Sequence, residues 1–158
     1  MAQKSSSSII GVGNLLMGDD GLGIVALEQL RRQQLPPGIA LIDAGCGGLT
    51  LLQLLADCER ALLIDAADFG RPAGCILRLP AEHIVDIQGG TGQASLHQTG
   101  LAEVLGLAVK LGQLPELTLF LVQPQCVAPG LELSLPVRQA LPRLLEMLQK
   151  ELENWRNA

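Results

Sequence analysis

The chain has 158 residues and a net charge of −5, with 48% apolar and 17% charged side chains. That length and apolar content predict one domain over residues 1–158, folded without help from disulfides or a metal, and exclude an intrinsically disordered protein. Eleven basic residues against sixteen acidic ones, 2% aromatics and no Tyr offer neither the positive surface nor the stacking platforms that nucleic acid needs.

Residues 1–7 read as a flexible lead-in, with the last residues of the serine run at 5–8 joining the first strand. Near-continuous apolar runs then recur at Ile9–Val12, Ile39–Ile42, Ala61–Ile64 and Leu117–Val122, the pattern of parallel strands buried on both faces. Helical stripes lie between them. Leu22, Val25, Ala26, Leu27 and Leu30 form the first, stopped by Pro36-Pro37. Leu51, Leu52, Leu54 and Leu55 form the second, and Leu101, Val104, Leu105, Ala108 and Leu111 the third, ended by Gly112. A last helix is predicted from Ser134 to Trp155, kinked or broken at Pro142. Cys75–Leu79 carries Arg78 and alternates, as an antiparallel edge strand would. The fold class is therefore α/β: a mostly parallel twisted sheet of about five strands with helices on both faces.

The stretch Asp86–Gln98 is polar, glycine-rich and aperiodic, a long loop of the kind that usually carries function. No apolar stretch reaches bilayer length; Leu117–Leu131 is uncharged but short, and is broken by Pro124, Pro129 and Gly130. The N-terminus lacks the basic and apolar regions of a signal peptide, so a cytoplasmic protein with no membrane contact is expected. Cys46, Cys58, Cys75 and Cys126 contain no Cys-x-x-Cys pair and each reads as a small, buried, reduced thiol. The acidic surface and single domain point to a monomer.

In an open parallel sheet, ligands bind beyond the carboxyl ends of the strands. Asn14, Asp20, Asp43 and Asp65 all fall there, and His97 lies in the long loop or at the start of the third helix. Gly11-x-Gly13 matches the opening of a dinucleotide fingerprint, but the third glycine position is Leu16, and Asp19 and Asp20 would repel a pyrophosphate. One of these two acids suits a helix cap, which frees the other. Asp65 on composition alone would cap a turn. Two carboxylates and one imidazole make a mixed donor set for a first-row cation such as nickel or zinc, with positions left open. The wide sequence separations make that a weak local signal. Neither Ser95 nor Ser134 sits in a Gly-x-Ser-x-Gly elbow. Cys46 could be a nucleophile with His97 as base, though a small residue in a tight turn explains it better.

Three stretches together resemble the maturation endopeptidases of nickel–iron hydrogenases: Ile10-Gly-Val-Gly-Asn-Leu-Leu-Met-Gly-Asp-Asp-Gly-Leu-Gly23, Leu62-Leu-Ile-Asp65-Ala-Ala-Asp68 with Pro72-Ala-Gly74, and Ser95-Leu-His97-Gln-Thr-Gly-Leu-Ala-Glu-Val-Leu105. The resemblance runs collinearly over the whole domain. It implies an endopeptidase, assigned by family as aspartyl-type, that removes the C-terminal extension of a hydrogenase large-subunit precursor. It also implies that Asp20, Asp65 and His97 contact nickel that arrives with the precursor, with Asp20 as the catalytic candidate. The region Asp43-Ala-Gly-Cys-Gly-Gly48 departs from the family's Asp-Gly-Gly-Thr. It implies substrate recognition by Asp43, Gly45 and Cys46, in the branch serving bidirectional, NAD-linked hydrogenases. The alternatives are a non-catalytic nickel-binding assembly factor and a nucleotide-binding regulator.

Overall fold

The computed structural model describes residues 5–83 and 100–158. Its strands are β1 (Ser5–Gly11), β2 (Ile39–Asp43), β3 (Cys58–Ala66), β4 (Ile76–Pro80) and β5 (Glu116–Val122). They form one sheet in the order β2-β1-β3-β5-β4. β1, β2, β3 and β5 run parallel, while β4 is antiparallel to β5 at the edge, as its alternation predicts. The described helices are α1 (Leu22–Arg31), α2 (Leu49–Ala56), α3 (Leu101–Lys110) and α4 (Leu135–Asn157).

The period of two along the central strands divides the core into two layers. Ile10, Leu63 and Leu119 point to the face covered by Leu51 and Leu55 of α2 and by Leu101 and Leu105 of α3. Ile9, Leu62, Ile64 and Phe120 point to the other, against Leu22, Leu27 and Leu30 of α1 and Val137, Leu144 and Leu148 of α4. Burial on both faces holds for β3 and β5. β2 is only half-buried, because among the described strands it stands at the edge with a neighbour on one side.

At the chain's two ends, the flexible lead-in and the break at Pro142 are corrected. The strand begins at Ser5, within the segment read as flexible. Ser7 pairs with both Ile39 and Arg60, and its hydroxyl accepts a hydrogen bond from Arg60 Nε at 2.8 Å. The backbone ladder, which is blind to side-chain polarity, recruits the serines. At the other end, α4 runs unbroken through Pro142. Val137, Leu141, Leu144, Leu148 and Leu152 are buried on both sides of it, while Pro142 and Arg138 are exposed. The Arg138 carbonyl that loses its amide partner to the ring can therefore be hydrated, and the buried stripe outweighs one missing bond.

The glycines of the first loop let the chain pack on itself. Gly13 has φ +152°, and a Cβ there would lie 2.0 Å from the Asp20 carbonyl oxygen. A Cβ on Gly23 would meet the carbonyl oxygens of Val12 and Ile64 at 2.4 and 2.5 Å. Helix α1 thus starts in backbone contact with both central strands. The bare face of Gly13 is filled by this loop, which explains the glycine pattern without a nucleotide. Gly23→Ala should cost about 2–3 kcal/mol by forcing backbone apart, read as a lowered midpoint with unchanged slope in urea unfolding.

Candidate active site

The chain runs outward from β1 to β2, then crosses back to place β3 on the other side of β1. Loops leaving the carboxyl ends of β1 and β3 therefore diverge and leave a crevice between them. It is a cleft of about 300 Å³ lined by Val12, Gly13, Asp20, Cys46, Asp65, Ala66, Ala67, Asp68, Pro124 and Val127. Asp20 and Asp65, far apart in sequence, stand on its wall together. His97 and its loop lie outside the described residues. Among the described residues, no three His, Cys, Asp or Glu side chains converge closely enough to hold a metal by themselves.

Asp65 is the penultimate residue of β3 and is 2% exposed. It caps no turn. Its Oδ2 is buried and has no hydrogen-bond partner among the described residues. Burial first, and then the charge of Asp20, push its carboxyl well above the ordinary range, against a backbone hydrogen bond from Ala66 that lowers it. Asp20 sits in a short 3-10 turn, Gly18–Gly21, and its Oδ2 accepts the Asn14 amide at 3.0 Å.

The helix-cap expectation for the neighbouring acid is corrected, because neither acid makes a side-chain cap. Asp19 is fully buried. Its carboxylate accepts the amides of Gln125 (2.8 Å), Cys126 (3.0 Å) and Ser134 (2.7 Å) and the Ser134 hydroxyl (2.7 Å). Burial raises its pKa, but the hydrogen bonds from Cys126, Ser134 and Gln125 outweigh it and hold the carboxyl below its usual value. Asp19 thereby pins the loop after β5, and the residue before α4, against the turn that carries Asp20.

Sequence reasoning also left Asp68 without a role. Its Oδ1 accepts Gln123 Nε2 and the Gly70 amide, both at 3.0 Å, and these bonds lower its pKa. Gln123 Oε1 in turn accepts the amides of Phe69 and Arg71. The nearly buried Gln123 thus fixes the loop that forms one wall of the cleft. Its position directly after an apolar strand was the available signal.

Of the three recognition candidates, Cys46 alone lines the cleft, with an exposed thiol. Asp43 and Gly45 shape the turn beneath it. Asp43 Oδ1 accepts the Gly45 amide at 2.7 Å, and the Gly45 carbonyl accepts the Gly13 amide at 2.7 Å. Cys58 is buried, while Cys75 and Cys126 are partly or fully exposed, so the buried-thiol expectation holds for Cys58 alone.

A family model described as hydrogenase maturation protease, HycI, matches residues 24–151. The chain belongs to the hydrogenase maturation proteases. It is 33% identical over 150 residues to the hydrogenase expression/formation protein HupD of Rhizobium leguminosarum bv. viciae, covering 93% of this chain and 74% of that one. It is 41% identical over 108 residues to HoxM of Cupriavidus necator, over 68% and 53% of the two chains. The solved structure of the hydrogenase maturating endopeptidase HybD from E. coli superposes with a TM-score of 0.80 at 28% identity, over 94% of this chain and 93% of that one. The α/β fold and the peptidase class of this maturation protease follow from that membership. Among the described residues, no helix is long and apolar enough to cross a membrane.

Proposed function

We propose that this maturation protease removes the C-terminal extension of a nickel-loaded hydrogenase large-subunit precursor, and that the cleft is where the nickel-bearing end docks. The observation that carries the reading is Asp65 Oδ2, a buried carboxylate oxygen without a partner among the described residues, on the wall of an open cleft that also bears Asp20. An orphaned buried carboxylate is costly and requires an explanation, and a cation brought by the substrate supplies one. Oxygen donors from Asp20 and Asp65, with an imidazole from His97, suit a divalent first-row ion. They are too few to strip it from thiolates in the precursor, so the ion stays substrate cargo and sets the register of the tail.

The nickel would polarise the scissile carbonyl or a water beside it. Asp20 is the base in this reading, because it lines the cleft and is steadied by Asn14, whereas Asp65 favours its protonated form until a cation arrives. The turn at Asp43, Gly45 and Cys46 selects the precursor, read as that of a bidirectional, NAD-linked hydrogenase. The enzyme acts as a cytoplasmic monomer in this scheme.

The test is incubation with the nickel-loaded precursor and a mass measurement of its C-terminus before and after. Loss of a defined C-terminal peptide is expected, and an unchanged mass with a cognate precursor overturns the proposal. Asp20→Asn should fold normally and cleave roughly a hundredfold more slowly or worse. An assembly factor without catalysis would show no such difference.

A further inference from the structure

Beside the cleft, two loops expose aliphatic side chains toward solvent. Leu15 and Leu16 follow β1, with Leu16 64% exposed. Val127 and Leu131 follow β5, with Leu131 80% exposed, and Leu135 opens α4. Scattered surface leucines need no explanation, but a clustered apolar patch does. These loops are zipped together. The Gly18 amide donates to the Gly130 carbonyl at 3.0 Å, the Gly130 amide to the Leu16 carbonyl at 2.9 Å, and the Asp19 amide to the Cys126 carbonyl at 3.0 Å. The buried Asp19 carboxylate locks the same pair of segments from beneath.

We infer that this ridge of Leu15, Leu16, Val127, Leu131 and Leu135 is a preformed docking surface for an apolar segment of the hydrogenase precursor next to the tail that is cut. The inference rests on the function proposed above. Three features argue for that occupant. The ridge is continuous with the cleft, because Val127 belongs to both and Asp20 directly follows Asp19. The segments Asn14–Gly18 and Val127–Leu131 carry no charge in a chain with a net charge of −5, and Glu132 is the single charge between Leu131 and Leu135, so the ridge suits mainly apolar contact. Finally, a rigid backbone loses little freedom on binding, so an otherwise weak apolar contact becomes useful affinity. A second copy of this chain fits less well. A two-fold contact through the ridge would bring two clefts bearing Asp20 and Asp68 close together, like charge toward like charge.

The experiment compares wild type, the double variant Leu16→Glu/Leu131→Glu and the control Leu111→Glu in cleavage of the nickel-loaded precursor. Leu111 is 54% exposed, but it follows α3 at the end of the sheet where β5 begins, opposite the cleft. The double variant should raise KM about tenfold or more, the scale of roughly 1.4 kcal/mol of lost contact. Its kcat and Tm should stay near wild type, and the control should match wild type throughout. An unchanged KM in the double variant, with wild type active, overturns the docking surface and leaves the proposed function standing. An inactive wild type overturns the function itself. Sedimentation of wild type supplies a further outcome: a dimer that the double variant converts to monomer would assign the ridge to self-association and overturn the inference.

Discussion

Replacing Asp65 by Asn should abolish cleavage of the precursor while making the protein more stable at neutral pH. The two effects have one cause. Among the described residues, Asp65 Oδ2 is buried without a hydrogen-bond partner, near a second acid. Its folded-state pKa is raised above the unfolded value near 3.8. Between those two values the folded protein holds a proton that the unfolded chain has released, so stability falls as pH rises through that window and stays reduced above it. Asparagine has nearly the same shape and no charge. It should remove this slope and stabilise the fold at neutral pH by roughly 1–2 kcal/mol, or about 2–4 °C in Tm per kcal/mol at this chain length. The carboxylate proposed to meet the precursor's metal disappears with the same substitution. Calorimetry from pH 4 to 8 together with the precursor mass assay checks both halves. A variant that loses activity and stability together would mean that Asp65 is a structural residue, and would remove the cation-binding role.

Asp19 should behave in the opposite way. Asp19→Ala leaves the amides of Gln125, Cys126 and Ser134 without their acceptor inside the fold, at a cost of about 3 kcal/mol or more. Asp19→Asn should rescue little. Oδ1 receives one amide and Oδ2 receives two, so the NH2 group meets a donor whichever way it points. Because the folded pKa of Asp19 is lowered, its contribution is present above the unfolded pKa and lost as pH falls through the folded value. Removing it should flatten the acid limb of the stability curve that remains after Asp65 is neutralised. Urea unfolding of the single and double variants at pH 3–7 reads this directly. A loss under about 1 kcal/mol in Asp19→Ala would show that the two loops hold together without it.

Much of the architecture was legible because it rests on local pattern. The apolar runs mark β1, β3 and β5, the stripes mark α1 and α3, and Gly112 follows the end of α3 with φ +65°. Asp20 and Asp65 could be assigned to one rim because strand direction alone decides which end of a parallel sheet a residue reaches. The role of Asp19 was not legible. Its partners lie more than 100 residues away and are mostly backbone amides, which every residue but proline possesses. The unbroken helix at Pro142 was hidden for a similar reason, because which side of the helix faces water is a tertiary fact. The serines of β1 misled because polarity was read where only backbone pairing mattered. The placement of His97 in the proposed trio rests on the family resemblance, since residues 84–99 are not described.

The Asp19 brace also bears on how the protein is made. Its anchor points lie near opposite ends of the chain, so the turn carrying Asp20 stays unsecured on the ribosome until Gln125, Cys126 and Ser134 have left the exit tunnel. β5, which sits between β3 and β4, is likewise synthesised late. A nascent chain missing its final quarter therefore has no finished cleft. The order of translation thus delays the finished cleft until the Asp19 brace can close.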